Sequence, residues 1–116
     1  MTNKTIKTMA TIGLMFFAVV AHTIALPIVT AAPDTAAIYT AKCAKCHGSD
    51  GSGTEKYKKK GVKNFTDAKW QNSRSEAQLT ASINKGKGEV MPAWSTKLSA
   101  EEVKALVGFV RALGKK

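Results

Sequence analysis

An all-α fold is predicted by three features of the sequence. Two segments open with a serine cap, carry Gln or Glu three residues later, and continue with apolar side chains at helical spacing: Ser75 to Gln78 ahead of Leu79 and Ile83, and Ser99 to Glu102 ahead of Val103, Leu106, Val107, Val110 and Leu113. No stretch alternates polar and apolar residues as a strand would, and there is no repeat or low-complexity linker. The run Cys43-Ala44-Lys45-Cys46-His47 holds the chain's only two cysteines. At that spacing they are neighbours on one helical turn, about 5 to 6 Å apart at Cβ.

C-x-x-C-H is the spacing of covalent haem attachment. Thiols on one turn reach the two vinyl groups along one porphyrin edge, so Cys43 and Cys46 become thioethers. His47 then lies under the ring plane, where a neutral imidazole bonds iron through one nitrogen and donates the other to a backbone carbonyl. Three other readings of the same residues stand beside this one. A redox-active disulfide calls for a βαβ setting and a thiol at a helix N-terminus. A structural zinc site needs a second pair of ligands that the sequence does not offer. A bare structural disulfide would close a loop too short to constrain the unfolded chain much.

The first third of the chain differs from the rest. Lys4 and Lys7 precede an apolar stretch from Met9 to Ala21, followed by Pro27 and small residues up to Ala32, the outline of a signal peptide over residues 1–32. Cleavage is expected after Ala31 or Ala32. The alternative is an uncleaved anchor, although Thr11, His22 and Thr23 leave the stretch short of the ~20 residues a membrane span needs. The domain proper is then 33–116, and its 84 residues are few for a self-sufficient core. Over the whole chain a hydrophobic content of 44% with eight aromatic residues suits a small helical shell around a cofactor. Removing the leader leaves 16 basic against 8 acidic side chains, a net charge of about +8 that seeks acidic surfaces. Nucleic acid is not expected for an exported chain without a nucleic-acid motif. Cleavage also leaves one methionine and one histidine, Met91 and His47, as the sources of a thioether and an imidazole.

Along the domain, Asp34 or Thr35 caps a helix that runs into the C-x-x-C-H motif, with Ala36, Tyr39 and Cys43 on one face. Gly48, Gly51 and Gly53 end it and let the chain wrap closely. Glu55 to Lys69 reads as loop or short helical turns, rich in lysine, with Phe65 and Trp70 expected to be buried against the haem or in ordinary core. The helix begun at Ser75 stops at Gly86. Pro92 then pushes Met91 out of helical conformation and stiffens the segment, so a ligand held there loses less entropy on binding iron. In the last helix Phe109 flanks the apolar stripe, Gly108 is expected to allow a close helix crossing, and Gly114 with two lysines finishes it.

With Cys43-x-x-Cys46-His47-Gly48, the Met91-Pro92 loop and a terminal amphipathic helix in place, the chain resembles class I cytochromes c from roughly Ala36 to Leu113. The resemblance implies the small cytochrome c fold: three to five short helices wrapped around one covalently bound haem, the N- and C-terminal helices crossing. It implies Cys43 and Cys46 as the thioether attachments of haem c, and His47 and Met91 as the proximal and distal ligands of its iron. Tyr39 would meet Leu106 and Phe109 at the crossing, and Trp70 would be the indole near a propionate. Where the family often carries glycine eight residues before the first cysteine, this chain has Thr35, so the crossing sits differently or uses Ala36.

Iron ligated on both sides offers no open position, which points to a one-electron carrier and not an enzyme. The expected protein is an exported or periplasmic monomer that touches a membrane only through partners or an uncleaved leader. Its partners are redox proteins with acidic docking surfaces, met by Lys45, Lys56, Lys60 and Lys87 around the exposed haem edge, although a run such as Lys58-Lys59-Lys60 is equally a solvated loop. Two rivals remain: a catalytic or ligand-sensing haem domain in which Met91 is exchangeable, and a fixed subunit of a larger oxidoreductase.

Overall fold

The computed structural model describes Ala25, Leu26 and residues 31–115; the expected leader falls almost wholly outside the described residues. Among those residues there are six α-helices: α1 Thr35–Lys42, α2 Ala44–His47, α3 Glu55–Lys58, α4 Ala68–Asn72, α5 Glu76–Lys85 and α6 Ala100–Leu113. None of them is long and apolar enough to cross a membrane. The single extended pairing among the described residues is an isolated antiparallel bridge between Lys87 and Met91.

Six segments appear where three to five were expected because the first helix is divided at Cys43, whose φ of −116° steps outside ideal helix geometry. Asp34 caps α1 by accepting from the Ala37 N–H at 3.1 Å. Gly48, at φ +78°, ends α2 directly after His47. Both predicted capping boxes are formed, Ser75 with Gln78 on α5 and Ser99 with Glu102 on α6. Each satisfies two N-terminal backbone donors that a helix leaves without partners. The lysine-rich stretch after Gly53 holds the single turn α3 and then loop up to α4, which Asp67 caps by accepting from the Trp70 N–H at 2.8 Å.

The apolar stripe of α6 is the spine of the core. Val103, Leu106, Val107, Val110 and Leu113 are all buried and join Tyr39, Phe65, Leu79 and Leu98 in one cluster. Helices α1 and α6 meet through Tyr39, whose ring centroid lies 4.7 Å from that of Phe109. The Tyr39 hydroxyl donates to the Gly48 carbonyl at 2.8 Å, tying the crossing to the end of the C-x-x-C-H turn. Burial holds the phenol well above its ordinary pKa, so it remains a donor throughout the working pH range.

Two expectations about the crossing are corrected. Gly108 is exposed, and a Cβ built on it would meet nothing within 4 Å, so it grants no close approach. Ala36 is exposed as well and supplies no substitute for the family's glycine. The glycine that packing does require is Gly51, where a Cβ would lie 2.7 Å from Leu113 Cδ1 and 3.2 Å from Phe65 Cβ on a backbone at φ +81°. That position lets the Gly48–Gly53 turn close against the C-terminal end of α6. The Asp50 carboxylate steadies the turn by accepting from both the backbone N–H and the hydroxyl of Ser52, which holds its pKa below the usual carboxylate range.

Candidate haem site

The two thiols and the imidazole share one turn, in which the N–H groups of Cys46 and His47 both donate to the Cys43 carbonyl, at 3.1 and 2.9 Å. Both cysteines are free and partly buried. Burial pushes the Cys43 thiol up, with Cys46 adding to it and Lys42 opposing it. The His47 ring stacks on Phe65 at 4.3 Å between centroids with an 18° interplanar angle, and Phe65 in turn leans on Trp70 at 5.0 Å. Burial lowers the His47 pKa, partly offset by a backbone contact at Lys63, a direction that favours the neutral imidazole.

His47 and Met91, far apart in sequence, line the same cavity of about 300 Å³. Val62, Phe65, Leu79, Ile83 and Val110 provide its apolar surface. Met91 arrives on a short closed loop: Lys87 N–H donates to the Met91 carbonyl at 2.9 Å and Met91 N–H returns to Lys87 at 3.3 Å. Gly86 lies beneath this loop, and a Cβ there would sit 2.8 Å from the Ala93 nitrogen, so no larger residue fits. Cys43 and Cys46 are not on the cavity wall; they flank it on the turn that carries His47.

The residues present fit a haem. Among the described residues, two buried side-chain polar atoms have no hydrogen-bond partner, His47 Nδ1 and Trp70 Nε1, and both side chains line this cavity. Orphaned buried polar atoms are costly, so such a pair marks a place where another group completes the bonding. Among the described residues no three His, Cys, Asp or Glu side chains gather to hold a bare ion. One imidazole and one thioether on an apolar cavity suit iron that already carries four porphyrin nitrogens.

Of the lysines expected around the haem edge, Lys60 and Lys87 line the cavity; Lys45 and Lys56 do not. Lys63 and Arg74 take their place, opposed by Glu89. Arg74 went unread in the sequence because it is a lone charge before a helix cap with no motif around it. Gln71 was also missed. Its buried amide donates to the carbonyls of Phe65 and Val110, each at 2.8 Å, and so fixes the wall behind His47.

The helical shell, the C-x-x-C-H turn and the cavity it overlooks define a monohaem c-type cytochrome domain, whose cofactor is covalent haem c with its iron. The chain belongs to the family described as cytochrome c oxidase, cbb3-type, subunit III, which matches residues 30–110. It is 42% identical over 84 residues to the cbb3-type cytochrome c oxidase subunit FixP of Azorhizobium caulinodans, covering 72% of this chain and 28% of that one. It is 36% identical over 84 residues to the cbb3-type subunit CcoP of Rhodobacter capsulatus, covering 66% of this chain and 27% of the relative. The chain thus spans little more than a quarter of the length of these relatives. Among solved structures it is similar to the KustC0563 c-type cytochrome, with a TM-score of 0.67 and 40% identity over 70% of this chain and 98% of that one.

Proposed function

We propose that this domain is an exported one-electron carrier, with Cys43 and Cys46 as the thioether anchors of haem c and His47 and Met91 as the two axial ligands of its iron. The observation that carries this reading is the meeting of His47 and Met91 on one apolar cavity. Haem c, when bound, supplies a reversible one-electron iron couple. The chain's residues do the rest. His47, backed by Phe65 and with burial favouring its neutral form, would present a nitrogen lone pair. Met91 offers a neutral, soft sulfur that favours the ferrous state, and the apolar wall excludes water and raises the potential. With His47 and Met91 both holding the iron, no open position would be left for a substrate, the property that would separate a carrier from an enzyme. The proposal includes a leader over residues 1–32, removed or retained as an anchor, and a monomeric domain outside the cytoplasm.

Protein matured in an export-competent host is expected to give the pyridine haemochrome spectrum of a haem held by two thioethers, with one haem per chain and a reversible one-electron titration. Colourless material with free or mutually paired thiols would end the proposal.

Lys60, Lys63, Arg74 and Lys87 support docking to an acidic surface on the redox partner. Electron transfer with such a partner is expected to slow by about tenfold as ionic strength rises from about 0.01 to about 0.15 M and the Debye length falls from about 30 to about 8 Å. Stopped-flow rates across that range check it, and a flat response would remove the steering. The relatives' names supply a second reading, a fixed subunit of an oxidase, for which co-purification with a larger complex is the discriminating observation.

A further inference from the structure

The loop that carries Met91 is held at its near end by the Lys87–Met91 bridge and by Gly86 beneath it. Its far end is Trp94, and more converges there than a loop terminus needs. The Trp94 N–H donates to the Ile83 carbonyl of α5 at 3.0 Å, and its carbonyl accepts from Lys97 and Leu98 at 2.9 and 3.0 Å. The backbone of Trp94 is thus fixed from both directions. Its half-buried indole packs against the core cluster and has two ammonium groups over its ring, Lys42 Nζ and Lys97 Nζ, each 5.4 Å from the centroid. Lys97 is local. Lys42 is not: it belongs to the last turn of α1, immediately before Cys43.

We propose that Trp94 is the positioning residue for Met91, and that its contact with Lys42 fastens the Met91 loop to the end of α1 beside the covalent attachment turn. Met91 has a flexible side chain and only a short bridge behind it. Without a second fixed end the loop would swing on Gly86 and Gly88, both in left-handed conformations. The backbone of Trp94 ties this end of the loop to α5, and the indole closes the remaining freedom by adding the core and α1 at the same point. A cation–π contact suits this role because it holds an exposed lysine to an aromatic face without burying the charge. The inference rests on the reading of Met91 as an axial ligand.

The test uses the ferric holoprotein and two readouts: the weak near-infrared sulfur-to-iron charge-transfer band, and the affinity for added imidazole, which competes with Met91 for the iron. In W94L the band is expected to fade on heating well before the far-UV circular dichroism melts, and imidazole is expected to bind about tenfold more tightly, since apparent affinity follows the population of the open loop. W94F, which keeps an aromatic face, is expected to recover most of the wild-type behaviour. K42Q, at an exposed position, is expected to tighten imidazole binding by about threefold with the fold intact, and it decides the matter if W94L fails to mature. The proposal is overturned if W94L keeps its band until global unfolding, or if K42Q binds imidazole as the wild type does. A wild-type protein lacking the band would instead remove Met91 as the ligand, so the two failures are told apart before any variant is made.

Discussion

Replacing Met91 with alanine is expected to leave haem attached while lowering the midpoint potential by on the order of 0.1 to 0.3 V, a fraction of the ~0.8 V range over which axial ligands set haem potentials. In the proposed assignment attachment rests on Cys43 and Cys46, which sit on the α2 turn and touch neither Met91 nor its loop in sequence. The loop itself is held by backbone bonds from Lys87 and Trp94 that alanine preserves. The change is therefore confined to the side chain proposed to ligate the iron. Loss of the Met91 sulfur would remove the preference for ferrous iron and leave a coordination position for a small ligand. Three consequences belong together: the near-infrared sulfur-to-iron band disappears, carbon monoxide binds the ferrous form, and the potential falls. Spectroelectrochemistry of wild type and M91A in parallel reads all three. If the visible spectrum and midpoint are unchanged in M91A, another side chain ligates the iron. His47 is the wrong position for this comparison, because its loss would remove the proposed ligand on the same turn as both proposed anchors and stable holoprotein is not expected.

Local signals made most of the helical framework legible in the sequence. Capping boxes at Ser75 and Ser99 bond only to residues three positions away, so the pattern and the structure coincide there. The α6 stripe is legible for the same reason: with a 3.6-residue period one face must be buried, and every residue assigned to that face is. Gly108 shows where such reasoning stops. A glycine in a helix has no periodic signature, and whether a neighbour approaches it depends on the rotation of α6 against α1, which here brings Phe109 and not Gly108 to Tyr39. The break at Cys43 was also invisible, since neither Cys nor Ala carries a helix-stopping preference. At the site, the C-x-x-C-H turn and the Met-Pro loop could be read because their chemistry is unusual. The cationic rim could be read only in part. Lys60 and Lys63 flank a cavity that Arg74 and Lys87 enter from elsewhere in the chain, and no spacing rule distinguishes them from Lys45 or Lys56.

Gln71 is the clearest case of information carried only by tertiary contact, and its replacement has the second large expected effect. The side chain is 8% exposed, and its Nε2 donates to Phe65 O and to Val110 O, one partner in the loop before α4 and one in the last turns of α6. Its Oε1 accepts from Arg111 at 2.9 Å, while the same guanidinium bonds the Gln71 carbonyl at 2.6 Å and the Arg74 carbonyl. Gly114 is required beside it, since a Cβ there would lie 2.6 Å from Gln71 Cγ. Leucine in this place matches the volume but leaves the two carbonyls without their donor, while the Arg111 guanidinium loses one of three acceptors and keeps the backbone carbonyls of Gln71 and Arg74. Unsatisfied buried groups each cost about 1 to 3 kcal/mol; allowing for partial rescue by water at the α6 end, Q71L is expected to lose about 2 to 4 kcal/mol. For a domain of this size that is a fall in Tm on the order of 10 to 20 °C. The effect should reach the haem site, because Phe65 both accepts from Gln71 and backs the His47 ring. Thermal melts followed at a haem band and by far-UV circular dichroism test both parts, the haem signal expected to broaden first. Q71E sharpens the assignment: a carboxylate accepts from Arg111 but donates to neither carbonyl, so it should remain destabilised despite the new charge pair. If Q71E melts with the wild type, the two donated bonds are not what Gln71 contributes.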